Sequence, residues 1–302
     1  MTRLLFRLSL VRPTHLASTR MSAKPGSVTY HASDFEHSAL DADESAYVAR
    51  IALHADGASS RAARARAAAL EASIRWGRFH DAHGALVYKP RYYLTAAFPT
   101  LLSAQSIIEL GAGAGSNVIP LLERTTARVY ASDVTPAALR SISVHDVAQS
   151  ALSSGRLSLH VYDVIHGTTS CTDARYPSPL PTDVEAVLLT FTASAALPEH
   201  HASIFKNCAA LLKSGGTLCF RDHAARDLAQ LRAPIERVLT PSLHEKGDGT
   251  LAYFFTVDEV RLHMEAAGLV VREISYATVK NHNRKTGADM HRVFLHALAE
   301  KR

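Results

Sequence analysis

The run Ile107-Ile108-Glu109-Leu110-Gly111-Ala112-Gly113-Ala114-Gly115 passes from residues suited to a buried strand into three closely spaced glycines. Such a junction lets the backbone turn sharply into a helix and approach a ligand closely. Its spacing departs from the dinucleotide fingerprint, which needs glycine at position 116, where Ser116 stands. Glu109, just before the first glycine pair, would repel a pyrophosphate and suits a ligand carrying an ammonium group.

Working outward, short β-rich runs alternate with helical patterns, the signature of a parallel sheet with crossover helices. Strands are expected at Ile107–Leu110, Arg128–Ser132, Leu157–Tyr162, Val184–Phe191 and Thr217–Arg221, with closing strands at Leu269–Thr278 and Arg292–Leu298. Helices are expected at Glu199–Leu212 and Val257–Ala267, each stopped by glycine. The second strand ends in Asp133, placed to accept from ribose hydroxyls, and the third in Asp163, near an adenine amino group. An ammonium, a ribose diol and an adenine belong together in S-adenosylmethionine, which we expect as the cofactor, held by Glu109, Gly111, Gly113, Asp133 and Asp163.

The 302 residues are 47% hydrophobic and 20% charged, which excludes disordered and collagen-like chains. No run of about 18 apolar residues can span a membrane. Cys171, Cys208 and Cys219 contain no Cys-x-x-Cys pair, so neither a disulfide framework nor a metal site is expected, and a reducing compartment fits best. The net charge of +5, with 17 histidines, mildly favours a polyanionic partner. Residues 1–33 hold Arg3, Arg7, Arg12, Arg20 and Lys24 and no acid, which reads as a mitochondrial transit peptide or a disordered basic tail. Met21 offers a second start, so the expected location is mitochondrial and/or cytoplasmic. Residues 34–100 read as a helical, aromatic and basic extension covering RNA and cofactor, and 101–302 as the catalytic domain. Within the extension, Ser59–Phe79 reads as one basic helix, followed by Trp76, Phe79, Tyr88, Lys89, Arg91, Tyr92 and Tyr93.

Several blocks carry a more specific signal: Trp76-x-x-Phe79 with Lys89-x-Arg91, Ala131-Ser132-Asp133, Phe191-Thr192-Ala193-Ser194-Ala195, Phe220-Arg221-Asp222 with Asp227-x-Ala229-Gln230-Leu231-Arg232, Gly247-Asp248-Gly249-Thr250 with Tyr253-Phe254-Phe255-Thr256, and Asn283-Arg284-Lys285 with Met290-x-Arg292-Val293-Phe294. On these blocks the chain resembles the tRNA N3-methylcytidine (m3C) methyltransferases over about three quarters of its length. The resemblance implies a Rossmann-like α/β fold, the seven-stranded class I methyltransferase sheet. It also implies cofactor contacts at Trp76, His80, Gly111, Asp133, Asp163, Val164 and Thr190, and a target cytidine at position 32 of the tRNA anticodon loop. Some members of the family act with a second tRNA-binding protein. The chain departs from the family where His80 and His223 replace Tyr, Leu251 replaces Arg, and Ser214 replaces Pro.

The N3 atom of neutral cytosine already carries a lone pair, so positioning rather than a general base is what methyl transfer to it requires. Arg221 and Asp222 are candidate positioning or electrostatic groups beside the reaction. Because N3 lies on the Watson–Crick edge, the cytidine must be unpaired or flipped, with Trp76, Phe79, Tyr92 and Tyr93 as stacking platforms. Phosphates would be tracked by Arg61, Arg64, Arg66, Lys89, Arg91, Lys280, Arg284, Lys285 and Arg292. Two alternatives stay open at this point: an RNA-binding or partner-activating subunit that has lost turnover, and a methyltransferase acting on protein or a small molecule.

Overall fold

Strands that are apolar on both faces need cover on both faces, and adjacent residues such as Ile107 and Ile108 point to opposite sides of the sheet. The computed structural model describes residues 30, 32–54, 57–84, 89–169, 171, 173–282, 287 and 289–302. Five strands run parallel: β1 (Ser106–Leu110), β2 (Arg128–Asp133), β3 (Leu157–Val161), β4 (Val184–Thr190) and β5 (Leu212–His223). The short strands β6 (Leu243–Glu245) and β7 (Leu251–Tyr253) pair with each other in a separate two-stranded sheet. The long antiparallel strands β8 (Leu269–His282) and β9 (Asp289–Lys301) complete a seven-stranded sheet of order β3-β2-β1-β4-β5-β9-β8. The strand order reverses between β1 and β4, and there the carboxyl ends open the crevice that such sheets use for ligands.

In chain order the helices are α1 (Asp41–Ala52), α2 (Ala58–Leu70), α3 (Ala72–His83), α4 (Leu94–Ala97), α5 (Val118–Arg124), α6 (Pro136–Ser143), α7 (Asp146–Ser153), α8 (His201–Leu211), α9 (Leu228–Leu231) and α10 (Val257–Ala266). On one face, Ile107, Val129 and Leu188 pack against residues of α4 to α7. On the other, Ile108, Val187 and Phe220 pack against α8, α10 and residues of the N-terminal extension, among them Leu40, Tyr47, Ala65 and Ala68. The extension thus shares the core of the sheet. Local chemistry fixes two helix starts: Thr135 caps α6 with Pro136 at its first position, and Thr256 and Glu259 form a reciprocal capping box on α10.

The expected single basic helix is two helices. The chain leaves helical geometry at Glu71 (φ −95°, ψ 6°), and this break lets α2 bury Ala65 and Ala68 while α3 buries His80. The fifth strand begins at Leu212, ahead of the expected Thr217, and continues through Gly215 and Gly216. Upstream of α1, Ser33 bridges Thr278 in parallel; Thr278 N–H donates to Ala32 O and Asp34 N–H to Thr278 O. The region read as a transit peptide falls almost wholly outside the described residues, as do Tyr88, Arg284 and Lys285.

Asp227 ties α9 to β9. It is fully buried; it accepts from Ala229 N–H at 2.7 Å and Val293 N–H at 2.8 Å, and pairs with the Arg292 guanidinium at 2.9 Å. Asp227→Ala leaves these donors and a half-buried cation without their acceptor, and we expect a loss of about 3 kcal/mol, read as a lowered denaturation midpoint. An unchanged midpoint would refute this role.

Candidate active site

The crevice is built at the end of β1. Gly111 and Gly113 both have positive φ, +71° and +54°, and a Cβ on Gly111 would sit 2.3 Å from Thr192 Oγ1. Glycine is required there by backbone conformation and by space alike. Glu109 is buried, and its Oε1 accepts from Asn117 Nδ2 at 2.5 Å; the same amide donates to Thr190 Oγ1 at 2.6 Å. Glu109 Oε2 is buried with no hydrogen-bond partner. Burial drives its carboxyl up to about 8, against the opposing effects of the Asn117 hydrogen bond and the Arg91 charge.

Asp133, at the end of β2, accepts from Gly113 N–H with Oδ2 and from Thr135 N–H with Oδ1, each at 3.0 Å. Burial raises its proton affinity as well. His80 reaches over the loop from α3, with Cε1 3.5 Å from where a Gly113 Cβ would stand, and burial lowers its pKa so that the ring stays neutral. Asp163 follows β3, accepts from Ile165 N–H at 2.8 Å and pairs with His166 at 2.7 Å, with Val164 half-buried beside it. Thr190 and Trp76 complete the set of expected cofactor residues. Among them, contacts link Trp76 to His80, His80 to Gly113, Gly113 to Asp133, and Glu109 to Thr190 through Asn117.

The residues fit S-adenosylmethionine. The unpartnered Oε2 of Glu109 is a buried acceptor that an ammonium satisfies. Arg91 lies across from it: its N–H donates to Ser116 O at 2.7 Å, Nη1 lies 3.4 Å from Asn117 Oδ1, and the guanidinium sits 4.7 Å over the Phe191 ring. Arg91, expected on RNA, thus lies close enough for its charge to act on Glu109, where a cation suits the carboxylate of the same amino-acid moiety.

Beyond the end of β4 the wall turns aromatic. Phe191 adopts φ +53°, a left-handed conformation rare for a bulky residue, and meets His223 and Phe294 edge to face at 5.3 and 5.6 Å. Lys246 Nζ lies 4.8 Å over the Trp76 ring, and Trp76 in turn stacks toward His80. Burial, followed by the charges of Arg292, Lys246 and Arg91, pushes the His223 pKa down to about 3.

Arg221 and Asp222, expected beside the reaction, face inward instead. Asp222 is fully buried and accepts from Ser194 N–H at 3.0 Å and His223 N–H at 2.8 Å, so it ties the loops after β4 and β5 together. Arg221 donates to Tyr30 Oη at 2.7 Å beneath the rings of Tyr30, Tyr93 and Phe294. Asp222 is held by backbone amides, whereas Arg221 lies among aromatic rings with its Nε buried and without a hydrogen-bond partner.

The expected phosphate contacts are scattered. Arg64 pairs with Glu245 at 2.5 Å, Arg61 donates to His54 O at 3.2 Å, and Arg292 is held by Asp227. Arg66, Lys89 and Lys280 are exposed. Leu251, where the family carries Arg, is buried in β7 and belongs to the core. Asn117 and Lys246 were not singled out by the sequence reading; the place of Asn117 just after the glycine loop is the only signal that could have found it.

A glycine loop, an unsatisfied acid and two further acids at successive strand ends define a class I methyltransferase. Residues 83–274 match the family model described as a methyltransferase domain, and the chain belongs to that family. It is 29% identical over 233 residues to a Drosophila melanogaster protein named tRNA N(3)-methylcytidine methyltransferase Mettl2, covering 73% of this chain and 68% of that one. It is 34% identical over 178 residues to Gallus gallus tRNA N(3)-cytidine methyltransferase METTL2, covering 57% of this chain and 45% of that one. A solved structure from work on converting a disulfide into a thioacetal during echinomycin biosynthesis shares the fold, with a TM-score of 0.50 and 14% identity over 70% of this chain and 82% of that one.

Because the Glu109 carboxyl is raised to about 8, it is protonated at neutral pH until a cation arrives. An ammonium beside it lowers its pKa, so binding releases a proton and affinity rises with pH below that value. We expect S-adenosylmethionine affinity to climb between about pH 6 and 7 by up to about tenfold. Calorimetry in buffers of different ionisation enthalpy should read close to one proton released, and Glu109→Gln should abolish this linkage. Identical heats in all buffers would contradict it.

Proposed function

We propose that this chain transfers the methyl group of S-adenosylmethionine to N3 of an unpaired cytidine in tRNA, at position 32 of the anticodon loop. When bound, the cofactor supplies a methyl group made electrophilic by a positively charged sulfur. The chain's own residues do the positioning. Glu109 and Arg91 grip the two charged ends of the amino-acid moiety, and Asp133 takes the ribose. The rings of Phe191, His223 and Trp76 offer flat faces to a base. The observation that carries this reading is that aromatic and cationic wall after β4, in a chain whose relatives are named for N3 methylation of tRNA cytidine.

A neutral cytosine already carries a lone pair on N3 and needs no carboxylate base. His223 stays uncharged because it is buried among cations. Holding the acceptor in line with the methyl group supplies the rate advantage, where effective molarities of about 10⁵–10⁸ M are available. We propose further that a second tRNA-binding protein presents the loop, as the family resemblance suggests.

Purified full-length protein, S-adenosylmethionine and tRNA should yield N3-methylcytidine on nucleoside digestion and mass spectrometry, with loss of product when position 32 is changed to uridine. If product appears only after a cell extract is added, a presenting partner is required. Cofactor binding without product under either condition would sink this reading and favour a subunit that has lost turnover.

A further inference from the structure

Two polar groups at the acceptor wall have no hydrogen-bond partner among the described residues: His223 Nδ1, on a ring held in the core, and the ammonium of Lys246, the one that carries a charge. The Lys246 backbone is fixed on both sides: its N–H donates to Thr250 O at 2.7 Å and its carbonyl accepts from Gly249 N–H at 3.0 Å. Arg75 holds the same turn, donating to Gly249 O and pairing with Glu245 at 3.1 Å. Asp248, the nearest acid in sequence, is turned onto Thr250, accepting from its N–H at 2.9 Å and its hydroxyl at 2.6 Å. The Lys246 side chain lies over Trp76, and its Nζ has no hydrogen bond or ion pair to a described residue.

The neighbouring cations are committed elsewhere, Arg292 to Asp227 and Arg91 to Phe191 and Asn117. The groups facing Lys246 are Trp76, Asp248, the inward-turned Asp222 and neutral His223. A substrate that fills this wall removes the remaining water from an ammonium that can donate but cannot accept, so it must bring an oxygen with it. A pyrimidine whose N3 points at the methyl donor carries such an oxygen one atom away, on C2.

We propose that Lys246 is the specificity-determining residue of the acceptor site and donates a hydrogen bond to the O2 carbonyl of the target cytosine. This rests on the proposed function above and adds the atom by which the base is held. The contact sets the in-plane rotation of the ring, so that N3 rather than the exocyclic amine faces the methyl group. Trp76 supports the lysine stem and keeps the ammonium from folding back onto the turn.

The test is a cycle with full-length protein and tRNA carrying either cytidine or 2-thiocytidine at the target position, since sulfur accepts hydrogen bonds less well than oxygen. Lys246→Met keeps the length of the side chain and its packing on Trp76. The unaltered protein should prefer cytidine by about tenfold, and K246M should lose about 10- to 100-fold in kcat/KM on cytidine, as for a hydrogen bond from a charged donor. K246M should no longer distinguish the two bases, while S-adenosylmethionine affinity and the thermal midpoint stay unchanged. Lys246→Arg, which retains a donor, should keep part of the preference.

An oxygen-to-sulfur penalty that is the same in both proteins overturns the assignment. So does an equal loss on both substrates together with a shallower salt dependence, the mark of a phosphate contact. If the unaltered protein forms no N3-methylcytidine, the proposed function fails and this assignment with it. Product formation combined with a surviving penalty in K246M fails the assignment alone.

Discussion

The site depends on one side-chain amide. Asn117 Nδ2 spans from Glu109 on β1 to Thr190 on β4, the two neighbouring strands between which the sheet order reverses. It holds one carboxyl oxygen in place and leaves the other buried without a hydrogen-bond partner. A buried acceptor without a donor is costly, and most native proteins avoid it. A cation beside that oxygen relieves the cost, so the arrangement selects for a positively charged ligand. Gly111 follows from the same arrangement, because Thr192 occupies the space that any larger residue would need.

Two histidines stand where the resemblance leads one to expect tyrosines, His80 over the glycine loop on the cofactor side and His223 in the aromatic wall after β4, and desolvation lowers the pKa of both. Each keeps a flat aromatic face and a polar edge. Asp222 sits behind that wall, committed to Ser194 and His223. Its negative charge can act through space, yet its main task is to set the distance between the loops that follow β4 and β5.

The strands, the glycine turn and the acids at strand ends were legible because each depends on local pattern: apolar runs for β1 to β5, small residues at positive φ, a carboxylate after the last strand residue. The break at Glu71 was not, since an Ala- and Arg-rich stretch reads as helical throughout. It is broken by the need of α2 and α3 to bury different faces, which only the packed structure reveals. Charged residues were the least legible. Arg64, Arg91 and Arg292 look alike as members of a basic set, and their separate fates are decided by Glu245, Phe191 and Asp227, which are distant in sequence. The inward turn of Arg221 depends on Tyr30, almost two hundred residues away.

The pairing of Ala32 to Asp34 with Thr278 has a consequence for the outer margin of the sheet. β8 is the last strand, and an unprotected margin offers its amides and carbonyls to the same margin of another molecule. The short stretch before α1 occupies that margin at Thr278, and Tyr30, clamped on Arg221 and stacked on Tyr93, anchors it from the other end. Without Ala32 to Asp34 the amide and carbonyl of Thr278 would lie open, and the sheet would gain a margin on which a second copy could pair.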